Sequence, residues 1–372
     1  MPEMNLPTSM RAARLHKPGE PLCIDQVPVP EPGPRDVLIA VKACGVIPNM
    51  NAIFSGTLWN RLPPLPAIVG LDAAGVVVKT GSAVTGIAPA TRVYVNPWLA
   101  CGTCAYCRAG KPLQCIAAAF QGYFGFTDQS APLQRAYPHG GFAEYMPAAA
   151  ERLIVLPDTV SFDAAARFGY LGTSFAALRH GGVEAGTWLA INGVTGTLGV
   201  GATLHALGMG ATRILGIGRN RAVLAELKAL APGRIDMLAL GDAPVTDWLL
   251  QRTDGLGADV LLDCSGRAAS SATTAQALGA LKRGGIAVNI GALTEKLEIE
   301  PIAYMVKALT FCGSNWFTTA EAQLMAEIAG AGVLDLSVLT TRAYPLGGVN
   351  DALAEVKTRP GGLINMVVNP DR

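Results

Sequence analysis

Cys101, Cys104, Cys107 and Cys115 fall in one short stretch with the spacing C-x2-C-x2-C-x7-C. Four thiolates so placed can surround a zinc ion tetrahedrally, and four protein ligands leave no coordination position for a substrate. The chemistry implied is structural rather than catalytic. Gly102, Thr103, Ala105 and Gly110 are the small residues a loop needs to wrap round an ion. Two local disulfides are the alternative, and they suit an oxidising compartment. Cys23, Cys44, Cys264 and Cys312 are scattered in apolar surroundings and are expected to be small buried residues.

A second constellation is the glycine turn Gly193-Val194-Thr195-Gly196-Thr197-Leu198-Gly199. Its G-x-x-G-x-x-G spacing lets the backbone approach a phosphate with no Cβ in the way. About 20 residues beyond such a turn, an NAD site places an Asp or Glu on the ribose 2′-hydroxyl. Here the sequence runs Gly218-Arg219-Asn220-Arg221, with no carboxylate and two guanidinium groups. Arginine matches a 2′-phosphate in charge and in its forked donors, so the expected cofactor is NADP(H). The alternative is that both arginines are merely solvated at the start of the next helix.

These groups need elements to hold them. Trp188 to Ile191 is an apolar run suited to a buried strand, Val200 to Leu207 continues as a small apolar helix, and Arg213 to Gly216 starts a second strand. Strand, glycine turn, helix and strand form the unit that carries a dinucleotide pyrophosphate. Before it the chain reads as β-rich: Met10 to Leu15, Leu22 to Val27, Asp36 to Ala43, Ile68 to Lys79 and Arg92 to Asn96 are expected strands. Phe120 to Tyr137 lacks a clear period and is expected to be a loop, with strand resuming over Gly140 to Tyr145. From Ser161 to about residue 317, helices and strands alternate, with Asp259 to Asp263 and Ile286 to Gly291 as buried parallel strands. The expected class is α/β, a β-rich domain followed by a doubly wound cofactor domain.

Composition sets outer bounds. A chain of 372 residues can form two domains, and half of it is apolar with only 15% charged, which excludes a disordered protein. A net charge of +1 gives no basis for nucleic acid or anionic membrane as a partner. The start MPEMNLPTSMRAARL lacks the apolar core of a secretory signal, and no apolar run approaches membrane-spanning length, so the expected location is the cytoplasm. His16, His139, His180 and His205 show no pairing with Ser, Cys or Asp, which leaves a hydrolytic triad without support.

This order of parts resembles the medium-chain dehydrogenase/reductase superfamily, the zinc alcohol dehydrogenase and quinone oxidoreductase group. The likeness is carried by Gly75-Val76-Val77 with Gly81-Ser82-Ala83-Val84, the four-cysteine lobe, Gly141-Phe142-Ala143-Glu144-Tyr145, the glycine turn and Asp263-Cys264-Ser265-Gly266. It implies a GroES-like catalytic domain over 1–163 with the zinc lobe at 101–115, a Rossmann domain over 164–317, and a return to the first domain over 318–372. The active site would lie in the cleft between them. Toward the cofactor it implies Thr173 at the nicotinamide, Cys264 and Ser265 beneath the adenosine ribose, and Gly291, Ala292 and Ser314 to Trp316 offering backbone groups to the carboxamide. Lys282 and Arg283 are expected to be solvated charges at a helix end. Family members often pair through the sheet edge near Leu293 to Tyr304, so a homodimer or tetramer is expected by analogy.

The sequence departs from the zinc alcohol dehydrogenases at the catalytic metal. Where that group keeps a cysteine, a histidine and a third ligand, this chain has Ile47, Leu71 and Gly169. None has a side-chain lone pair to give, so the expected state is one structural zinc and an active site without metal. Zinc-free relatives commonly reduce conjugated C=C bonds or quinones. A polarised acceptor such as an enone, an enoyl thioester or an iminium delocalises incoming hydride without an electrophilic ion. Carbonyl reduction with a side-chain proton donor is the second reading, and a nucleotide-binding protein without turnover is the third. Candidate polar groups are Asn49, Asn51 and Tyr170, with Trp59, Trp98 and Trp316 as walls of a broad apolar pocket.

Overall fold

A computed structural model describes residues 6–58 and 61–371, so Trp59 lies outside the described residues. Six parallel strands form one sheet in the order Ile235–Ala239, Arg213–Gly218, Trp188–Asn192, Ala258–Asp263, Leu281–Asn289, Thr310–Gly313. The strand order reverses direction beside Trp188–Asn192, which opens a crevice at the carboxyl ends of the central strands. The inner strands Arg213–Gly218, Trp188–Asn192 and Ala258–Asp263 are nearly all buried because helices cover both faces, which explains their apolar runs. Asn220 accepts from the N–H groups of Ala222 and Val223 and so starts the helix Arg221–Leu230.

A second sheet carries Leu153–Val155, Arg92–Val95, Ala73–Thr80, Asp36–Gly45, Ile364–Asn369 and Thr340–Pro345 in that order, with Tyr145–Ala149 also on Asp36–Gly45. The last strand of the chain thus pairs antiparallel with an early one, Val367 opposite Gly45 and Val368 opposite Cys44. The chain crosses back after the parallel sheet through Trp316 and Phe317 into the helix Thr319–Gly330. A reciprocal capping box between Thr318 and Glu321 begins that helix.

Several expectations need correcting: strand resumes only over Tyr145–Ala149, and Lys282 and Arg283 lie in the strand Leu281–Asn289 rather than at a helix end. Ile68 to Lys79 is not one strand. Gly70 adopts φ +117°, and the chain divides into Ala67–Ile68 and Ala73–Thr80, which join different sheets. A Cβ at Gly70 would sit 2.6 Å from the Phe142 nitrogen, so the break and the glycine go together. Phe120 to Tyr137 is not all loop. It holds a short helix, Ala131–Ala136, preceded by a capping box at Thr127 and Ser130. Six residues are too few for a helical period to show in the sequence. Cys23 is exposed rather than buried, on an edge strand of the small sheet Cys23–Pro28, Ser9–Leu15, Ala67–Ile68. Finally, His16 does meet an acid, with Nε2 2.7 Å from Asp25 Oδ2 on an exposed face. No serine or cysteine nucleophile is recorded in that contact, and Arg14 binds the same carboxylate.

Candidate active site and cofactor crevice

The glycine turn follows Trp188–Asn192 directly. Gly193 has φ +79°, and a Cβ there would lie 3.0 Å from the Cys264 carbonyl oxygen. A Cβ at Gly199 would lie 2.5 Å from Gly193 O and from Val194 Cα, so helix and strand can approach only through glycine. Gly196 is exposed and precedes the helix Thr197–Gly208, whose first turn has no side-chain cap. Helix N-terminal N–H groups left open in this way bind anions. Thr195 lies against Gly218, and its carbonyl oxygen accepts from Gly362 N at 3.0 Å. Leu198 O accepts from Ser174 Oγ at 2.8 Å.

At the end of Arg213–Gly218 the arginines differ. Arg221 makes a two-pronged ion pair with Asp242, which holds that carboxyl below its usual range. Arg219 is exposed, with no partner among the described residues. Of the two arginines only Arg219 is therefore free for a 2′-phosphate, while Asn220 has its Oδ1 in the cap and its Nδ2 left as a donor.

The loop after Ala258–Asp263 is braced from within. Asp263 accepts from Ser265 N at 2.8 Å and Thr274 Oγ1 at 2.7 Å, and Asn192 Nδ2 reaches Ser265 Oγ at 2.9 Å. Burial pushes the Cys264 thiol up, so it is a packing residue here. A Cβ at Gly291 would meet Ser265 O at 2.3 Å. The N–H groups of Gly291, Ala292 and Ser314 already bond to Asp263 O, Ser265 O and Asn289 O. Any backbone group these residues offer a carboxamide is thus a carbonyl oxygen. Trp316 has φ +64°, and its indole N–H donates to Asn96 Oδ1 at 2.9 Å. Its ring stacks on Phe317 and meets Phe120 edge-on. Trp98 is buried between Phe120 and Phe126, with Nε1 on Pro112 O, which puts it under the cysteine lobe.

In the lobe, the four cysteine sulfurs all lie within 4.8 Å of one another. N–H groups of Cys101, Cys104 and Cys107 point at Cys115, Cys101 and Cys104 sulfurs respectively, at 3.2–3.5 Å. Backbone N–H groups of Thr103 and Cys104 draw the Cys101 thiol down to about 6, whereas burial drives Cys107 up to about 12. Sulfurs held this close and fed by N–H donors match the requirements of a tetrahedral thiolate site.

The remaining candidates surround the start of the helix Phe168–His180. Ile47 and Leu71 are buried, and Gly169 is buried in the first turn of the helix. What fills the space over Gly169 is the Asp72 carboxyl: a Cβ on Gly169 would sit 2.3 Å from Oδ1 and 2.7 Å from Oδ2. Oδ1 accepts from Tyr94 OH at 2.7 Å, while Oδ2 is buried with no hydrogen-bond partner among the described residues. Burial raises this carboxyl to about 7, against the Tyr94 hydrogen bond and the Arg167 charge, which act to lower it. Arg167 donates to Ile364 O at 3.2 Å and Gly362 O at 2.5 Å, its Nε has no partner among the described residues, and burial lowers its pKa to about 10. Tyr170 lies 6.0 Å from the Arg167 guanidinium and is raised first by burial and then by the Asp72 charge. Thr173, one turn on, donates its hydroxyl to Gly169 O at 2.7 Å.

Asn49 and Asn51 separate. Asn49 Oδ1 accepts from Tyr123 OH at 2.7 Å, which leaves its Nδ2 as a donor. Asn51 donates its Nδ2 to Leu353 O at 2.7 Å, tying the helix Met50–Phe54 to the C-terminal part. That bond uses one of the two N–H groups of its Nδ2. Asp72, Tyr94, Tyr123 and Arg167 were missed by sequence reasoning. The one available signal was an acid directly after the vacated Leu71 position.

Together these features define an oxidoreductase built from a GroES-like part and a Rossmann-type part. Residues 33–158 match the alcohol dehydrogenase GroES-like domain family, and residues 197–330 match the zinc-binding dehydrogenase family. The alcohol dehydrogenase of Geobacillus stearothermophilus is 30% identical over 346 residues, 92% of this chain and 94% of that one. A structure from Sinorhizobium meliloti 1021, described as a zinc-binding dehydrogenase bound to NADP, superposes with TM-score 0.84 at 26% identity, covering 98% of this chain and 100% of that one. A thermostable alcohol dehydrogenase from Pyrobaculum aerophilum gives TM-score 0.79 at 27% identity, covering 97% and 100%. The chain belongs to the medium-chain dehydrogenase/reductase superfamily.

Proposed function

We propose that this enzyme is an NADPH-dependent oxidoreductase acting on a polarised double bond without a catalytic metal. The substrate class is a conjugated C=C of an enone or enoyl compound, or a C=N. The observation that carries this reading is the Asp72 carboxyl packed over Gly169, with Ile47 and Leu71 both buried, at the three positions where a metal-dependent relative would need ligands. Bound NADPH supplies a hydride. The chain's own residues orient the cofactor through the glycine turn, keep water out with a buried apolar wall, and present Asn49 Nδ2 and Tyr170 OH as donors. The cysteine lobe holds one structural zinc through Cys101, Cys104, Cys107 and Cys115.

The unpartnered Arg219 and the NADP bound to the Sinorhizobium relative support NADP(H) over NAD(H). Carbonyl reduction is the second reading, favoured by a buried carboxyl that can hold a proton near neutral pH and by relatives described as alcohol dehydrogenases. A homo-oligomer is proposed through the edge strand Thr310–Gly313 and the helix Pro301–Lys307, where Ile302, Met305, Val306 and Phe311 are exposed.

The test measures NADPH oxidation against enones, enoyl thioesters, quinones, imines and aldehydes, together with NADPH and NADH affinities for wild type and R219D. Loss of one charge-assisted pair should weaken NADPH by roughly 10- to 100-fold and leave NADH nearly unchanged. Equal affinities in wild type would remove the NADP assignment. Tight NADPH binding without turnover on any acceptor would make the chain a nucleotide-binding protein.

A further inference from the structure

Two neighbouring strand ends meet where the ribose of a bound dinucleotide would lie. Gly218 pairs with Ala239, so Arg219, Asn220 and Arg221 leave one strand in step with Leu240, Gly241 and Asp242 leaving the next. Leu240 N donates to Gly218 O at 2.8 Å, which keeps the two ends side by side past the last paired residues. Gly241 then adopts φ +103°, a conformation closed to most side chains, and Asp242 turns back with its N–H on Ala239 O at 3.1 Å. The Asp242 carboxylate meets the Arg221 guanidinium fork to fork, with Nη1 on Oδ2 at 3.0 Å and Nη2 on Oδ1.

Both side chains are exposed, and an exposed ion pair contributes little to stability. Its consequence is for charge at the strand end. Positive charge converges there from Arg219, which has no partner among the described residues, from Arg221, and from the N-terminus of the helix Arg221–Leu230, whose first turn holds no acid. The acid that an NAD site carries on this strand end is found one strand over instead, with both oxygens turned to Arg221. Two arginines in the sequence therefore do not amount to two open phosphate ligands in the fold.

We propose that Asp242 is a specificity-determining residue for the cofactor: it withholds Arg221 from a 2′-phosphate and so limits the preference for NADPH over NADH. The inference rests on the NADP(H) reading given above. Arg219 alone meets the 2′-phosphate. Arg221 and Asp242 face it as a closed pair, in which the cation is engaged and the anion repels a phosphate monoester that is close to doubly charged at neutral pH. Removing the carboxylate frees a second forked donor two residues from Arg219. NADH, with a plain hydroxyl at that place, feels the change only weakly.

The test is a double-mutant cycle read by equilibrium binding to wild type, D242N, R221Q and D242N/R221Q. The ligands are NADPH and NADH, with 2′,5′-ADP and 5′-AMP to isolate the phosphate. D242N should tighten NADPH by roughly tenfold and leave NADH nearly unchanged. The double variant should return to about the wild-type NADPH affinity, because the gain needs the freed guanidinium. R221Q should cost NADPH more in the D242N background than in wild type. Throughout, 2′,5′-ADP should follow NADPH and 5′-AMP should follow NADH, and the D242N gain should shrink as salt rises. Because both side chains are exposed, each variant is expected to fold. An unchanged NADPH affinity in D242N would overturn the proposal. So would a gain that survives in the double variant, since Arg221 would then have no part in it. An R221Q loss as large in wild type as in D242N would also overturn it, because the phosphate would already be drawing Arg221 off the carboxylate. A wild type that does not prefer NADPH defeats the NADP(H) reading, while the 2′,5′-ADP responses of the variants still report separately on Asp242.

Discussion

Replacing Asp72 by Asn should make the protein relatively more stable as the pH rises. The folded carboxyl is held at about 7, well above the ordinary aspartate value of 3.8. The fold therefore favours its protonated form, and the stability associated with that proton is complete below 3.8 and is lost as pH rises through about 7. The gap between these values corresponds to about 4 kcal/mol at ~1.4 kcal/mol per tenfold, and most of it develops between about pH 4 and about pH 7. Asn stays neutral throughout, its Oδ1 can still accept from Tyr94 OH, and its Nδ2 takes the place of the protonated Oδ2. Against this gain, the buried Arg167 charge loses a nearby anion. We therefore expect D72N to gain on wild type by about 2 kcal/mol between about pH 5 and about pH 8.5. Spread over the unfolding entropy of a chain this size, that is roughly 2–3 °C in Tm, and more if the β-rich part melts alone. Calorimetric scans of both proteins at several pH values read the difference. Parallel Tm curves would show that Asp72 ionises in the fold as it does in water, and the reasoning about its burial would be wrong.

C104S should lose bound zinc, measured by native mass spectrometry, and should unfold at lower temperature without changing NADPH affinity. The sulfurs lie in a lobe separate from the glycine turn, so two zinc ions per wild-type chain would contradict the metal-free site. M305E places a charge on an exposed apolar helix face, 70% exposed in the single chain, and should shift sedimentation toward monomer. An unchanged oligomer, or a wild type that is already monomeric, removes that face as the interface.

The parts legible in the sequence are those whose members are neighbours along it. The cysteine lobe closes within fifteen residues, from Cys101 to Cys115, and the glycine turn needs only the strand before it and the helix after it. Local spacing sets local geometry there, so residue types alone point to a thiolate cage and an anion site. The vacated ligand positions Ile47, Leu71 and Gly169 were readable for the same reason, because the absence of a lone pair does not depend on folding.

What the sequence withheld depends on groups brought together from afar. Nothing in Gly70-Leu71-Asp72 says that its carboxyl rests on Gly169, bonds Tyr94 from another strand, and lies near an Arg167 already engaged by the C-terminal segment. Nor does the order Asn49-Met50-Asn51 reveal that one amide accepts from Tyr123 while the other donates to Leu353. By itself the sequence determined the fold class and placed Ile, Leu and Gly at positions 47, 71 and 169. Only the tertiary structure placed the Asp72 carboxyl over Gly169 and raised its proton affinity. The proton affinity of a buried acid is set by its desolvation and by charges from several elements, and neither exists until the chain has folded.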